Sequence, residues 1–579
     1  MVIRLVTRET IMVRLHPAIG IGIAVAALAA CSGTAVEQPP APPPTPAVAE
    51  ASEDIVVTAQ QVGSTADMSA VRPAPRQGLM ISGSRVAMRS PMYERPFMPL
   101  PPPQGRDRFA AANENPFRVA TEEPISTFSI DVDTASYAFV RASLTNNVLP
   151  QKAAVRTEEM INYFPYDYRT PRSASEPFSS AISVFPSPWS PGRKLVRIGI
   201  KGFAVEQTAR PRANLVFLID TSGSMNAPNK LPLVRQSLSM LLDRLDPDDR
   251  VAIVTYAGSA GTALEPTPAR EKARIRAVID GLGAGGSTAG AEGIRQAYAL
   301  AERNIDPDGV NRVILATDGD FNVGITDPAE LKGFVERERG KGVFLSVLGF
   351  GMGNYNDALM QMLAQNGNGA AAYIDTIAEA RKTLVEEASS TLFPIAKDVK
   401  IQVEFNPAMV AEYRLIGYES RLLQRDDFDN DKVDAGEVGS GQSVTALYEI
   451  VPVGGPRTIP PRRYGNQAAP GRGTATASEY GFVKIRYKLP KSDTSRLIST
   501  PIDRRSEVAR FIDAPTDARF AAGVAGFAEL LRGGRYTGRM SYDEVLQIVL
   551  AARGRDDYGY RSELVQLIRA AQAARSLPS

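Results

Sequence analysis

Three short polar clusters carry residue types that could act together. Asp220, Ser222 and Ser224 sit in "NLVFLIDTSGSM", Thr288 in "GGSTAG", and Asp318 in "RVILATDGD". They offer two carboxylates and three hydroxyls, all hard oxygen donors, with no soft ligand among them. Such a set suits Mg²⁺ or Mn²⁺ in octahedral geometry with waters in the remaining places. Ca²⁺ is less favoured, because carboxylates are few. The aspartates need not touch the ion; they can hold its waters and orient the hydroxyls. The competing reading is a set of polar turns and helix caps, which the same residue types favour.

The elements around these clusters follow a regular order from about Arg212. The run "LVFLI" is continuously apolar, as expected of a strand covered on both faces. Val234, Leu238, Leu241, Leu242 and Leu245 then mark one face of a helix. The strand "RVAIVTYA", the helices "EKARIRAVIDGL" and "AEGIRQAYALAERN", the strand "RVILATDGD", the helix "DPAELKGFVERERG" and the strand "VFLSVLGFG" follow. A helix at "DALMQMLAQ", a short strand "AAYID" and the helix "AEARKTLVEEASS" end the series. Strands alternating with helices predict a doubly wound, mostly parallel α/β sheet. Its ligand site is expected beyond the carboxyl ends of the strands, near a topological switch, where the polar clusters fall.

The order of these five residues on those elements resembles the von Willebrand factor type A domain and its metal-ion-dependent adhesion site. The resemblance covers residues 212–390. It implies that Ser222, Ser224 and Thr288 coordinate the ion directly, that Asp220 and Asp318 do so directly or through water, and that one position stays open for a carboxylate from a protein partner. The flanking stretches "TFSIDVDTASYAFVR", "VRTEEMINYFPYDY", "LIGYESRLL", "DDFDNDKVDAGEVGSGQSVTALYEI" and "VKIRYKLP" are similar to a bacterial family of von Willebrand type A lipoproteins, the YfbK-like family.

Composition narrows the chemistry further. The chain has 579 residues, one cysteine (Cys31) and one histidine (His16), both near the N-terminus. No intrachain disulfide can form, and beyond residue 31 the chain has no imidazole or thiol for Ser-His-Asp catalysis or a His/Cys zinc site. No P-loop or GxSxG is present, and "GGSTAG" lacks a final glycine at the right offset. Hydrolysis by a metal-activated water would need a base, for which Asp320 is the visible candidate, so no enzymatic activity is expected. A net charge of +2 with interspersed charges gives no basic face for nucleic acid.

The N-terminus reads as a targeting segment over residues 1–31. Arg4, Arg8 and Arg14 precede the apolar run "AIGIGIAVAALAA", which is short for a membrane span, and then comes "LAAC". That ending resembles a bacterial lipobox, in which Cys31 is lipidated and becomes the first mature residue; an ordinary signal peptide is the alternative. By the same resemblance Ser32 implies sorting to the outer membrane of a Gram-negative cell, facing the periplasm or the surface. Residues 32–115 read as a disordered tether, with 14 of the 43 prolines between Pro39 and Pro103. Within it "EDIVVTAQ", including Asp54, Ile55, Val56, Val57 and Thr58, resembles a TonB box that adds as a strand to a partner's sheet; a short sticky strand in a linker is the alternative.

The remaining parts are expected at residues 116–211, a segment of helices and strands, and 391–579, strands followed by helices. Together the two flanks are expected to form a β-rich sandwich beside the central sheet. Asp131 and Asp133 read as acids at a helix N-terminus rather than a second ion site. "DDFDNDKVDAGE" fails as an EF-hand, with Lys432 and Val438 at the positions needing glycine and glutamate, and reads as a solvated acidic turn, with weak Ca²⁺ binding a minor option. Oligomeric state is not legible from these features.

Overall fold

In chain order, β1 (Arg118–Val119) and β2 (Ile125–Ser129) precede two helices, Ala135–Thr145 and Thr157–Asn162, and the antiparallel pair β3 (Phe178–Pro186) and β4 (Lys194–Gly202). The middle of the chain supplies β5 (Ala213–Asp220), β6 (Arg250–Tyr256), β7 (Ala260–Pro268), β8 (Val310–Thr317), β9 (Val343–Phe350) and β10 (Ala371–Ile374). Helices Leu231–Arg244, Lys272–Asp280, Gly290–Arg303, Pro328–Gly340 and Asp357–Asn366 connect them. Then come β11 (Pro394–Phe405), β12 (Val410–Ile416), β13 (Gly436–Gly439), β14 (Ser443–Pro452), β15 (Glu479–Lys488) and β16 (Ser495–Asp503). Helices Thr516–Arg532, Tyr542–Ala551 and Tyr560–Ser576 follow. The structure, a computed structural model, describes residues 107–110, 113–130, 133–206, 210–285, 290–319, 327–460 and 478–576, all within the unit Pro96–Ser579. His16, Cys31, Ser32, the stretch around Asp54, Asp131, Thr288 and Asp320 lie outside the described residues. Among the described residues no helix is long and apolar enough to cross a membrane.

The central sheet has the order β10-β9-β8-β5-β6-β7, parallel throughout except for β7. Every residue of β5 is buried, and the reason is alternation between two cores. Leu215, Phe217 and Ile219 pack with the helices Leu231–Arg244 and Lys272–Asp280, whereas Val216 and Leu218 pack with Ile294, Ala297 and Leu331. Each such fully buried side chain contributes about 1.5–3 kcal/mol, which explains the unbroken apolar run. The expected helix face of Val234, Leu238, Leu241, Leu242 and Leu245 is buried in the first of these cores.

Two features differ from the sequence reading. "AGTALEPTP" forms the edge strand β7, hidden from periodicity by Pro266 and Pro268, which an edge tolerates because it does not need every N–H. The single helix expected over 378–390 is instead broken into Ile377–Arg381, a wider π turn Lys382–Glu386, and Ala388–Leu392. There the Lys382 ammonium pairs with Glu387 and lies 4.4 Å from the Tyr163 ring centroid.

The flanks fold together, as expected. One sheet has the order β1-β12-β14-β4-β3, and a second joins β13, β11, β15 and β16, with β2 also on β11. Thus β4, before the central sheet in sequence, pairs with β14 after it, and β2 pairs with β11. Their facing side chains, among them Phe128, Val196, Ile198, Val403 and Tyr448, form one core. The C-terminal helices pack with the N-terminal pair around Tyr137, Phe164, Phe520 and Phe527.

Candidate metal centre

The sheet order places the first aspartate at a switch. From β5 the chain winds to β6 on one side and returns to β8 on the other, so Asp220, at the end of β5, lies beside Asp318, just past the end of β8. Both carboxylates are completely buried. The backbone N–H of Ser222 donates to Asp220 Oδ1 at 2.8 Å, and Thr317 Oγ1 donates to Asp220 Oδ2 at 3.3 Å. The Ser222 and Ser224 hydroxyl oxygens lie 3.0 Å apart, Ser222 buried and Ser224 exposed at the rim. The Gly-rich loop is tied to the same turn: Gly285 N–H donates to Thr221 O at 2.7 Å. Thr288, three residues on, lies outside the described residues.

The structure therefore brings four of the five expected residues to one end of the sheet. It adds three that sequence reading did not single out. Thr317 holds Asp220, and Tyr256 lies fully buried beside Asp220, which with desolvation pushes its phenol well above the ordinary range. Lys230, just before a helix, reaches back so that its Nζ donates to Asp318 Oδ2 at 2.8 Å. A glycine makes room for that stem: a Cβ on Gly351, at φ +77°, would meet Lys230 Cε at 2.4 Å. A lysine before "LPLVRQSL" was the available signal, but its target is set by the register of β5 against β8.

The electrostatics fit a hard cation. Burial pushes the Asp220 carboxyl up to about 6, and the Asp318 charge adds to the rise, while the bonds from Ser222 and Thr317 oppose it. Two adjacent buried carboxylates facing one ammonium leave negative charge that a divalent ion would offset. Ser222, Ser224, Asp220 and Asp318 would hold it, with oxygen donors alone. Lys230 competes with such an ion for Asp318. Lys230→Met is expected to tighten Mg²⁺ binding by at least about tenfold, measured calorimetrically, while lowering stability in EDTA. Unchanged affinity would show that Lys230 does not act on the site.

At the other acidic candidates the described residues meet cations of the protein itself. Asp133 directly precedes Thr134, the N-cap of the helix Ala135–Thr145, as expected of an acid at that end; its Oδ1 accepts from Ala371 N at 2.8 Å and its Oδ2 from Arg421 at 2.8 Å, joining β10 to the sandwich. In "DDFDNDKVDAGE" the protein supplies its own cations. Lys400 Nζ donates to the carbonyls of Asp427 and Asn430 at 2.8 and 2.6 Å, and Arg486 pairs with Asp429 and Asp431. The turn is solvated, as expected, with Asp429 83% and Asp431 48% exposed, and these ammonium and guanidinium groups anchor it.

The family profile described as von Willebrand factor type A domain matches residues 214–387, and that of the uncharacterized protein YfbK, C-terminal, matches 390–574. A profile described as von Willebrand factor matches 103–197. The chain is 42% identical to the uncharacterized protein YfbK of Escherichia coli over 82% of each chain. It is 32% identical to human inter-alpha-trypsin inhibitor heavy chain H4 over 30% of this chain and 19% of that one. The solved von Willebrand factor type A protein from Catenulispora acidiphila is 15% identical, with a TM-score of 0.40 over 70% of this chain and 91% of that one.

Proposed function

The chain belongs to the family of the uncharacterized protein YfbK, built around a von Willebrand factor type A domain, and on that footing we propose that it is a lipid-anchored envelope protein that binds a protein partner through a divalent metal ion. Von Willebrand type A domains bind other proteins, often with a divalent metal at this constellation. The observation that carries the reading is the pair of buried carboxylates, Asp220 and Asp318, beneath the paired hydroxyls of Ser222 and the exposed Ser224. Mg²⁺ or Mn²⁺ bound there would supply an open coordination position to a carboxylate of the partner. Asp220 orients the Ser222 turn through its backbone N–H, and Lys230 screens Asp318, so few formal charges oppose an incoming acidic group. Thr288 is assigned to the same set by its place in the loop that begins at Gly285.

The role proposed is binding; metal-assisted hydrolysis, for which Asp320 would be the base, is the distant enzymatic alternative. Anchoring is assigned to Cys31, with Ser32 directing the protein to the outer membrane, and the reach to the tether after it. That tether ends before residue 107 rather than at 115, because Asp107 accepts from Gly353 N and Tyr355 N, Phe109 packs on Phe139 and Asn115 is buried.

Crosslinked capture from envelope membranes by the full chain tests the reading. A partner captured in Mg²⁺, and lost both in EDTA and in the Ser222→Ala, Ser224→Ala variant, is expected. Capture indifferent to both would reassign the metal to ordering loops in an assembly role. Cys31→Ser is expected to move the protein out of the membrane fraction; retention there would refute the lipid anchor.

A further inference from the structure

A cavity of about 300 Å³ lies between the central sheet and the sandwich. It is lined on one side by Arg312 of β8 and Ser346 of β9, and on the other by Lys201 at the end of β4 and by Glu437 and Ser443 of β13 and β14. Arg312 stands six residues before Asp318, roughly 20 Å away along the strand, so this cavity is separate from the metal centre.

Arg312 is 2% exposed, yet it forms no ion pair with any carboxylate among the described residues. One guanidinium nitrogen donates to Ser346 Oγ at 2.6 Å, and Nε has no partner among the described residues. Lys201, half-buried, donates to Ser443 Oγ at 3.1 Å and likewise pairs with no carboxylate there. Burying an uncompensated guanidinium is costly, and proteins keep such a group where it meets a ligand or a partner charge. The volume lies at the small end of ligand pockets. We infer that this cavity binds a small oxyanion, a carboxylate- or phosphate-bearing molecule, between the Arg312 guanidinium and the Lys201 ammonium.

Of the carboxylates lining the cavity, Glu386 pairs with Arg381 and Glu387 with Lys382, which leaves Glu437 facing the two cations. Burial lowers Arg312 to about 10, against the opposing Glu437 charge, and also lowers Lys201. Glu437, which accepts from Asn368 at 2.7 Å, is pushed up to about 8 by burial, so near neutral pH it keeps its proton and can donate to an anion rather than repel it.

The test is calorimetric titration of inorganic phosphate and, separately, succinate into the full chain in EDTA, which keeps any ion out of the first site. Saturable one-site binding of at least one probe is expected, and which probe binds distinguishes the two sources. Binding should weaken at least about tenfold in Arg312→Met and in Lys201→Met and stay unchanged in Ser222→Ala, Ser224→Ala. If Arg312→Met does not fold, Lys201→Met decides. Absence of saturable binding for both probes, or binding undiminished in the variants, would overturn the proposal.

Discussion

Arg141→Met is expected to destabilise the folded protein by about 3–5 kcal/mol, the cost of leaving buried charges without their partner. The Arg141 side chain, 6% exposed, lies on the helix Ala135–Thr145. Its Nε donates to Asp375 at 2.9 Å, just past β10, and its other nitrogens to Glu379 at 2.7 Å, Glu563 at 3.0 Å and the Tyr163 hydroxyl at 2.9 Å. One guanidinium therefore clamps the N-terminal segment, the end of the central sheet and the last C-terminal helix. The methionine fills the space of the stem but leaves the Asp375 and Glu379 carboxylates, 8% and 1% exposed, without its charge. Urea unfolding at equilibrium reads the effect. Replacing Glu379 by glutamine in the same chain should recover part of the loss, since it removes a stranded charge. A loss below about 1 kcal/mol, the scale of surface pairs, would mean that the three parts are not held by this residue.

Glu437→Gln is expected to change the pH dependence of stability rather than stability at one pH. Burial and the Asp434 and Asp398 charges hold this carboxyl near 8, with Arg312 and Asn368 opposing the rise. In the unfolded chain it titrates near ~4.3. Between those values the folded state keeps a proton that the unfolded state has lost, so stability falls as pH rises from about 4.5 to 8 and levels off above. Glutamine keeps the acceptor for Asn368 and cannot ionise. The variant should match the parent near pH 4 and exceed it by a few kcal/mol at pH 9. A variant-minus-parent difference that is flat with pH would contradict this.

The central sheet and the gathering of four candidate residues at one end of it were legible because the signals are local. Buried parallel strands are continuous apolar runs, and Asp220 and Asp318 directly follow theirs. What escaped depends on partners distant in sequence. Lys230 meets Asp318 only because β5 and β8 are neighbours, and Asp133 turns from a helix end to Arg421, 288 residues on. The acidic turn at Asp427 is solvated as read, but its anchors, Lys400 and Arg486, come from other strands and were not legible. The sandwich itself was expected from both flanks, but its pairing, β4 on β14 and β2 on β11, follows from long-range register that no local pattern encodes. Arg312 looked like one charge in a strand, and only the fold shows it buried with no ion pair among the described residues.

The central claim is that Asp220, Ser222, Ser224 and Asp318 form a divalent-metal centre. Calorimetric titration of Mg²⁺ and Mn²⁺ into the full chain, beside the Ser222→Ala, Ser224→Ala variant with its circular dichroism unchanged, tests it most directly. The account predicts saturable one-site binding in the parent and at least about 100-fold weaker binding in the variant, the loss of two oxygen ligands at roughly 1.4 kcal/mol each. Equal binding by both proteins, or no saturable binding by the parent, would contradict it and leave "DTSGSM" as a helix-capping turn.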